Sequence, residues 1–147
     1  MEIKFRDLSP KKIKADLLAL PVKEKEIGEP VIRLLDRLLK GRLSEQIKKS
    51  KFTGAEGTAL IHPTAGRLPA SHVLLIGMGK GHEIEIDSWR KAGARAKKEA
   101  AGIRGEEVAF FLFPDRVPEA TVGAIVEGTL LASYQFNKYR SESRPSS

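Results

Sequence analysis

Three short segments of this chain are apolar almost without interruption: Leu17-Leu18-Ala19-Leu20, Val73-Leu74-Leu75-Ile76 and Val108-Ala109-Phe110-Phe111-Leu112-Phe113. Each is too short to stand as an independent helix, and none shows the alternation of a strand with one wet face. A strand of that kind must be covered on both faces, which happens when helices pack on either side of a largely parallel sheet. The chain is therefore expected to alternate strands with helices.

The rest of the sequence supplies both. Strands are expected at Glu2 to Arg6, where Ile3 and Phe5 share a face, and at Asp16 to Val22, Gly57 to His62, His72 to Gly77 and Glu107 to Phe113. Between Pro30 and Leu39, Val31, Leu34, Leu35, Leu38 and Leu39 recur at helical spacing. Pro30 suits the first helical position, Glu29 the positive end of the dipole, and Gly41 the left-handed residue that stops the helix. A shorter helix, Leu43 to Lys49, follows. Asp87 is the expected N-cap of the next one, whose face Trp89, Ala92, Ala96, Ala100 and Ile103 consists mostly of small residues. A last helix, about Pro118 to Tyr134, carries only Glu119 and Glu127 as charges. It is expected to be buried on most sides or covered by another domain or subunit. The fold class that results is an α/β three-layer sandwich with a mixed, largely parallel central sheet. Residues 1–136 are read as one domain and 137–147 as a polar tail of linker composition.

With 147 residues, 41% apolar and 31% charged, the chain has the size of one domain and too much apolar content for a disordered one. It has no cysteine, which removes disulfides, thiolate zinc sites and thiol nucleophiles together. The first residues carry charges every second or third position, unlike a signal peptide, and no run is long enough to cross a membrane. The expected location is the cytoplasm. A net charge of +7 admits an anionic partner, although basic and acidic residues are interspersed, as in Lys23-Glu24-Lys25-Glu26.

Candidate chemistry is sparse. Gly77-Met78-Gly79-Lys80-Gly81 follows a buried strand, so Gly77, Gly79, Lys80 and Gly81 form a candidate phosphate-facing turn. A P-loop would need Ser or Thr after Lys80, and a dinucleotide fingerprint would need glycine where His82 stands. A tight structural turn is the competing reading. His62, His72 and His82 are evenly spaced but share no helix face, and His-Glu-x-x-His is absent, so no metal site is expected. There is no Gly-x-Ser-x-Gly, and the pairs Glu83/Glu85 and Glu106/Glu107 sit in charged surroundings that would not tune them as acid and base. No catalytic residue is expected. On the helix after Asp87, Lys91, Arg95 and Lys98 share a face, with Arg90 and Lys97 beside them, and these five could contact nucleic acid. Aromatic residues that might stack on bases are not interleaved among them.

Four segments in register carry a resemblance: Ala15-Asp16-Leu17-Leu18-Ala19-Leu20-Pro21-Val22; Phe52-Thr53-Gly54-Ala55-Glu56-Gly57; Val73-Leu74-Leu75-Ile76-Gly77-Met78-Gly79-Lys80; and Glu127-Gly128-Thr129-Leu130-Leu131-Ala132-Ser133-Tyr134-Gln135-Phe136-Asn137-Lys138-Tyr139-Arg140-Ser141. Together they resemble the N-terminal domain of M17 leucyl aminopeptidases over nearly the whole chain. The resemblance implies a macro-domain-like fold. It also implies a parent enzyme that is a cytoplasmic homo-hexamer using two divalent ions, zinc or manganese, to release N-terminal amino acids. In that family the metal ligands and the catalytic lysine and arginine lie in a C-terminal domain, around Asn-Thr-Asp-Ala-Glu-Gly-Arg. That segment does not occur here, so no catalytic residue or cofactor is carried over. The implied partners are the C-terminal catalytic domain and further subunits. Some members bind DNA. The alternatives are a stand-alone macro-like nucleotide or ADP-ribose binding module and a DNA-binding module.

Overall fold

The computed structural model describes residues 2–5, 10–81, 84–112 and 120–130. Five strands, β1 (Glu2–Phe5), β2 (Leu17–Val22), β3 (Ala59–Pro63), β4 (His72–Gly77) and β5 (Glu107–Phe110), form one sheet in the order β1-β5-β2-β4-β3. All neighbours pair parallel except β3 and β4, which are antiparallel. The mixed, largely parallel sheet read from the sequence is thus present.

The burial of β2 and β4 shows why their sequences are unbroken. Leu18, Leu20, Val22, Val73 and Leu75 enter one core with Ile32, Leu35, Leu39 and Leu43. Leu17, Ala19, Leu74 and Ile76 enter a second core with Trp89, Ala92, Ala96, Ala100 and Ile125. Successive residues of a strand point to opposite faces, so a strand filling two cores must be apolar at every position. The sandwich therefore has three layers. Helices α1 (Pro30–Leu38) and α2 (Arg42–Ser50) cover one face, and α3 (Ile86–Gly102) and the helical residues 120–130, here α4, cover the other.

Pro21 lies in a central strand, where a missing N–H would normally break the ladder. The Val22 carbonyl faces β4, accepting the Met78 N–H at 2.9 Å, so Pro21 faces the other way, toward β5. The β2–β5 pairing stops at Ala19↔Phe110, and Pro21 has no partner there to lose. Asp16 secures the start of the same pair. Its Oδ2 accepts the N–H groups of Glu106 and Glu107, each at 2.8 Å, while its own N–H donates to the Glu107 carbonyl at 3.0 Å.

Several local expectations shift. The buried stripe of α1 is centred on Ile32, Leu35 and Leu39, with Leu34 only half-buried. The left-handed residue after α1 is Lys40 (φ 57), followed by Gly41 (φ 77). The N–H of Gly41 reaches back to the Asp36 carbonyl at 2.8 Å and that of Lys40 to Arg37 at 3.0 Å, the double bond of a Schellman stop. Asp87 is not the N-cap of α3. Glu85, extended at φ −67 and ψ 150, holds that place and its carbonyl accepts the Ser88 N–H. Asp87 sits in the first turn and pairs with Lys91 at 3.4 Å, still at the positive end of the helix. β5 ends at Phe110 because the Phe111 N–H turns to the Ala19 carbonyl, where the β2–β5 ladder closes.

On α4, burial on most sides is not found: Thr121, Ala124, Ile125, Gly128 and Thr129 are buried, while positions 120, 123, 127 and 130 are open, including Leu130 at 63% exposure. A helix packed against one neighbour buries one stripe, and the sparse charge of the sequence does not enlarge it. Arg6, Phe113, both ends of that last helix and the tail 137–147 lie outside the described residues.

The second layer of helices is held close by glycine. A Cβ on Gly93 of α3 would overlap the Ile125 carbonyl oxygen, and one on Gly128 of α4 would overlap that of Arg90. The two helices cross backbone to backbone at those points, and the alanines around them keep the approach short.

Candidate functional site

The basic stripe expected on α3 divides in space. Lys91, Arg95 and Lys98 line a cleft of about 640 Å³ between α3 and the loop Gly54–Thr58, whose floor is Ile76, Gly77, Met78 and Ala92. Arg90 instead leaves the cleft and donates from Nε to Glu127 of α4 at 2.6 Å, and Lys97 is likewise absent from the lining. Most of the stripe is neutralised locally. Lys91 pairs with Asp87 at 3.4 Å and Arg95 with Glu99 at 3.1 Å, each one turn away, and Arg95 also reaches the Gly57 carbonyl at 3.4 Å. Opposite them stands Glu56, whose carboxylate accepts the Ser88 hydroxyl at 2.7 Å. The cleft thus offers an apolar floor, cations on one wall and a carboxylate on the other. A ligand carrying both charges would suit it better than a bare polyanion, which Glu56 repels.

The glycine turn lies at the C-terminal ends of β2 and β4, where the chain departs to opposite faces and open α/β sheets usually receive ligands. Here its first three N–H groups are engaged. Gly77 donates to Thr58 at 2.8 Å, Met78 to Val22 at 2.9 Å and Gly79 to Gly54 at 2.9 Å, and Glu24 donates to the Gly79 carbonyl at 3.0 Å. A side chain on Gly77 would strike the Ala55 carbonyl, and Gly79 has φ +84. One glycine lets the 54–58 loop close down and the other turns the chain. Lys80 and Gly81 are exposed and do not line the cleft.

Of the histidines, His82 lies outside the described residues. His62, at the end of β3, is held below its ordinary value of 6.5 by burial first, then by the charges of Arg42 and His72. The Nδ1 of His72 is buried without a hydrogen-bond partner. His62 also lines a polar groove of about 440 Å³ with Lys40, Arg42, Glu45, Gln46 and Lys49. Sequence reasoning missed this groove. Its cations are scattered over the α1–α2 turn and α2, and only their packing against β3 brings them together.

Among the described residues, no group of three or more His, Asp or Glu side chains could hold a metal ion. The described residues thus offer no ligand set for a metal pair, and no metal-dependent step is assigned to them. Asp16 is an acid with a structural duty: the two main-chain donors of Glu107 and Glu106 hold its carboxyl below the ordinary value. No helix among the described residues is long and apolar enough to cross a membrane.

The family profile described as cytosol aminopeptidase family, N-terminal domain, matches residues 19–143. A probable cytosol aminopeptidase of Alkaliphilus metalliredigens is 33% identical over 149 aligned residues, covering 97% of this chain and 30% of that protein. One from Roseiflexus castenholzii is 35% identical, covering 80% of this chain and 26% of its own length. The chain thus spans under a third of the curated relatives it matches. Among solved structures, a tomato leucine aminopeptidase mutant superposes with a TM-score of 0.77 at 24% identity, covering 90% of this chain and 28% of that one. The macrodomain of Mycobacterium tuberculosis DarG superposes with a TM-score of 0.62 at 10% identity and 91% coverage of both chains, which establishes a macro-like fold. Profile, relatives and superposition converge on one place in one kind of protein: the chain belongs to the cytosol aminopeptidase family and represents its N-terminal domain.

Proposed function

We propose that this chain is the non-catalytic, regulatory and assembly domain of a leucyl aminopeptidase. The complete protein would be a cytoplasmic homo-hexamer that releases N-terminal amino acids with two zinc or manganese ions held in its C-terminal domain. The observation that carries this is the match of residues 19–143 to the family's N-terminal domain, in a chain covering 30% of a relative's length. A hydrolase using paired metals needs several carboxylates around both ions, and two acids of this chain have other duties. Asp16 fastens β5, and Glu56 accepts Ser88. The domain's work is then to support the neighbouring catalytic domain, shape access to it, and present a surface to other subunits.

The test is hydrolysis of an aminoacyl amide by the 147-residue chain alone, with and without manganese or zinc. No turnover is expected in either case, and joining the chain to a family C-terminal domain should restore a competent assembly. Metal-dependent cleavage by this chain alone would refute the proposal.

A second reading, DNA binding along α3, has the cleft wall Lys91, Arg95 and Lys98 in its favour, and the pairing of Lys91 and Arg95 and the carboxylate of Glu56 against it. Affinity for duplex DNA should then fall steeply with salt. Replacing those three residues by glutamine should remove it; unchanged binding would clear α3 of the role.

A further inference from the structure

We propose that the groove between the α1–α2 turn, α2 and the end of β3 is an oxyanion site that takes a phosphate-type group on Arg42, Lys49 and His62, with Lys40 at its rim. The argument begins from how differently this chain treats its cations. On α3, Arg90, Lys91 and Arg95 each have a carboxylate at 2.6 to 3.4 Å. In the groove, Lys40, Arg42 and Lys49 converge, and among the described residues none of the three is in an ion pair. The Oδ1 of Asp36 is engaged by the Ser44 N–H at 2.8 Å, and Glu45 is the one acid in the lining.

Three cations gathered around one carboxylate, Glu45, leave a net positive charge, and a bound anion lowers their mutual repulsion. The charged groups that share the groove with His62 are Lys40, Arg42, Glu45 and Lys49, while His72 of β4 acts on it from the opposite face of the sheet. Burial first, and then the charges of Arg42 and His72, disfavour its protonated form. A phosphate oxygen is the acceptor that a guanidinium, an ammonium and an imidazolium can share. The position of Lys40 is also fixed, because it occupies the left-handed residue of the turn after α1, a place more usually held by glycine. The groove lies on the sheet face opposite the α3 cleft, and it needs nothing from the aminopeptidase reading.

The test is nuclear magnetic resonance of His62 and the surrounding amides in the 147-residue chain, titrated with inorganic phosphate against sodium chloride at matched ionic strength. Saturable shifts with a dissociation constant on the order of millimolar are expected, together with a rise of the His62 titration toward or past 6.5. Arg42→Gln and Lys49→Gln, both at exposed positions, should each weaken binding about tenfold, while Lys98→Gln on the far face should not. A short duplex that competes with phosphate would identify a nucleic-acid backbone as the source of the group. A duplex that does not compete would leave free phosphate or a small phosphate ester. The proposal falls if His62 titrates identically in phosphate and chloride, or if phosphate binds R42Q and K49Q as tightly as the unaltered chain.

Discussion

The two faces of the sheet are covered in opposite ways. Under α1 and α2 the core is made of large side chains, Leu35, Leu39 and Leu43 meeting Leu18, Leu20 and Leu75, and the distance between layers is set by their length. Under α3 the contact residues are Trp89 and the small Ala92, Ala96 and Ala100, and α3 meets α4 through Gly93 and Gly128 with no side chain between the backbones. The outer surfaces differ in step. The closely packed side pairs its cations with acids one turn away or across to α4, whereas the leucine-rich side gathers Lys40, Arg42 and Lys49 with Glu45 as the one acid beside them. One sheet therefore carries a face that should fail when its side chains shrink and a face that should fail when they grow.

Substitutions on the two faces test that contrast. The largest effect is expected for Leu35→Ala, which leaves a void beneath α1 and should cost about 3 to 4 kcal/mol in chemical denaturation. Ala at Gly93 or Gly128 adds a single carbon yet should cost about 2 to 3 kcal/mol, because a backbone carbonyl cannot yield as a side chain does. If either glycine accepts alanine at no cost, the close crossing is wrong.

Asp16→Asn should cost about 1 to 2 kcal/mol at neutral pH, since the acceptor for Glu106 and Glu107 loses its charge. Its sign against pH is fixed. The carboxyl of Asp16 is depressed from 3.8 in the fold, so its contribution is present above that value and is lost as pH falls through the lower, folded one. The D16N protein should lack that part of the acid transition, and an unchanged acid limb would remove Asp16 from the account. His62 is also depressed, from 6.5, and by the same linkage stability should slip as pH falls from 6.5 through its folded value. His62→Gln should flatten that region. Smallest is Glu99→Gln, which frees Arg95 at the surface and should change stability by under about 0.5 kcal/mol.

Much of the fold was legible because it is written in periodicity. Leu17 to Leu20 and Val73 to Ile76 are apolar at every position, and each fills both cores as such a run must. The small-residue face of α3 was equally plain, and Trp89, Ala92, Ala96 and Ala100 are all buried. Boundaries were less secure. Asp87 is the residue type that caps a helix, yet the N-cap place falls to Glu85, whose backbone is extended and whose side chain makes no cap bond. Gly41 drew attention as a helix stop, yet the first left-handed residue is Lys40, a type rarely expected there.

The candidate sites were legible only in part. The stripe Lys91, Arg95 and Lys98 was visible from helical spacing, but its pairing with Asp87 and Glu99 and the presence of Glu56 across the cleft are facts of packing. The glycines at 77 and 79 stood out as a phosphate turn, while the carbonyls of Thr58 and Gly54 that engage their N–H groups come from a loop some twenty residues earlier.

By itself the sequence determined the layered α/β class, the apolar strands and the want of any local catalytic motif, because each depends on the spacing of residues along one element. Only the tertiary structure decided that β5 sits between β1 and β2, that Pro21 faces the end of β5, and that Lys40, Arg42, Lys49 and His62 share a groove. Those facts depend on which elements become neighbours. Neighbourhood is set by the joint burial of two cores, to which no single segment holds the key.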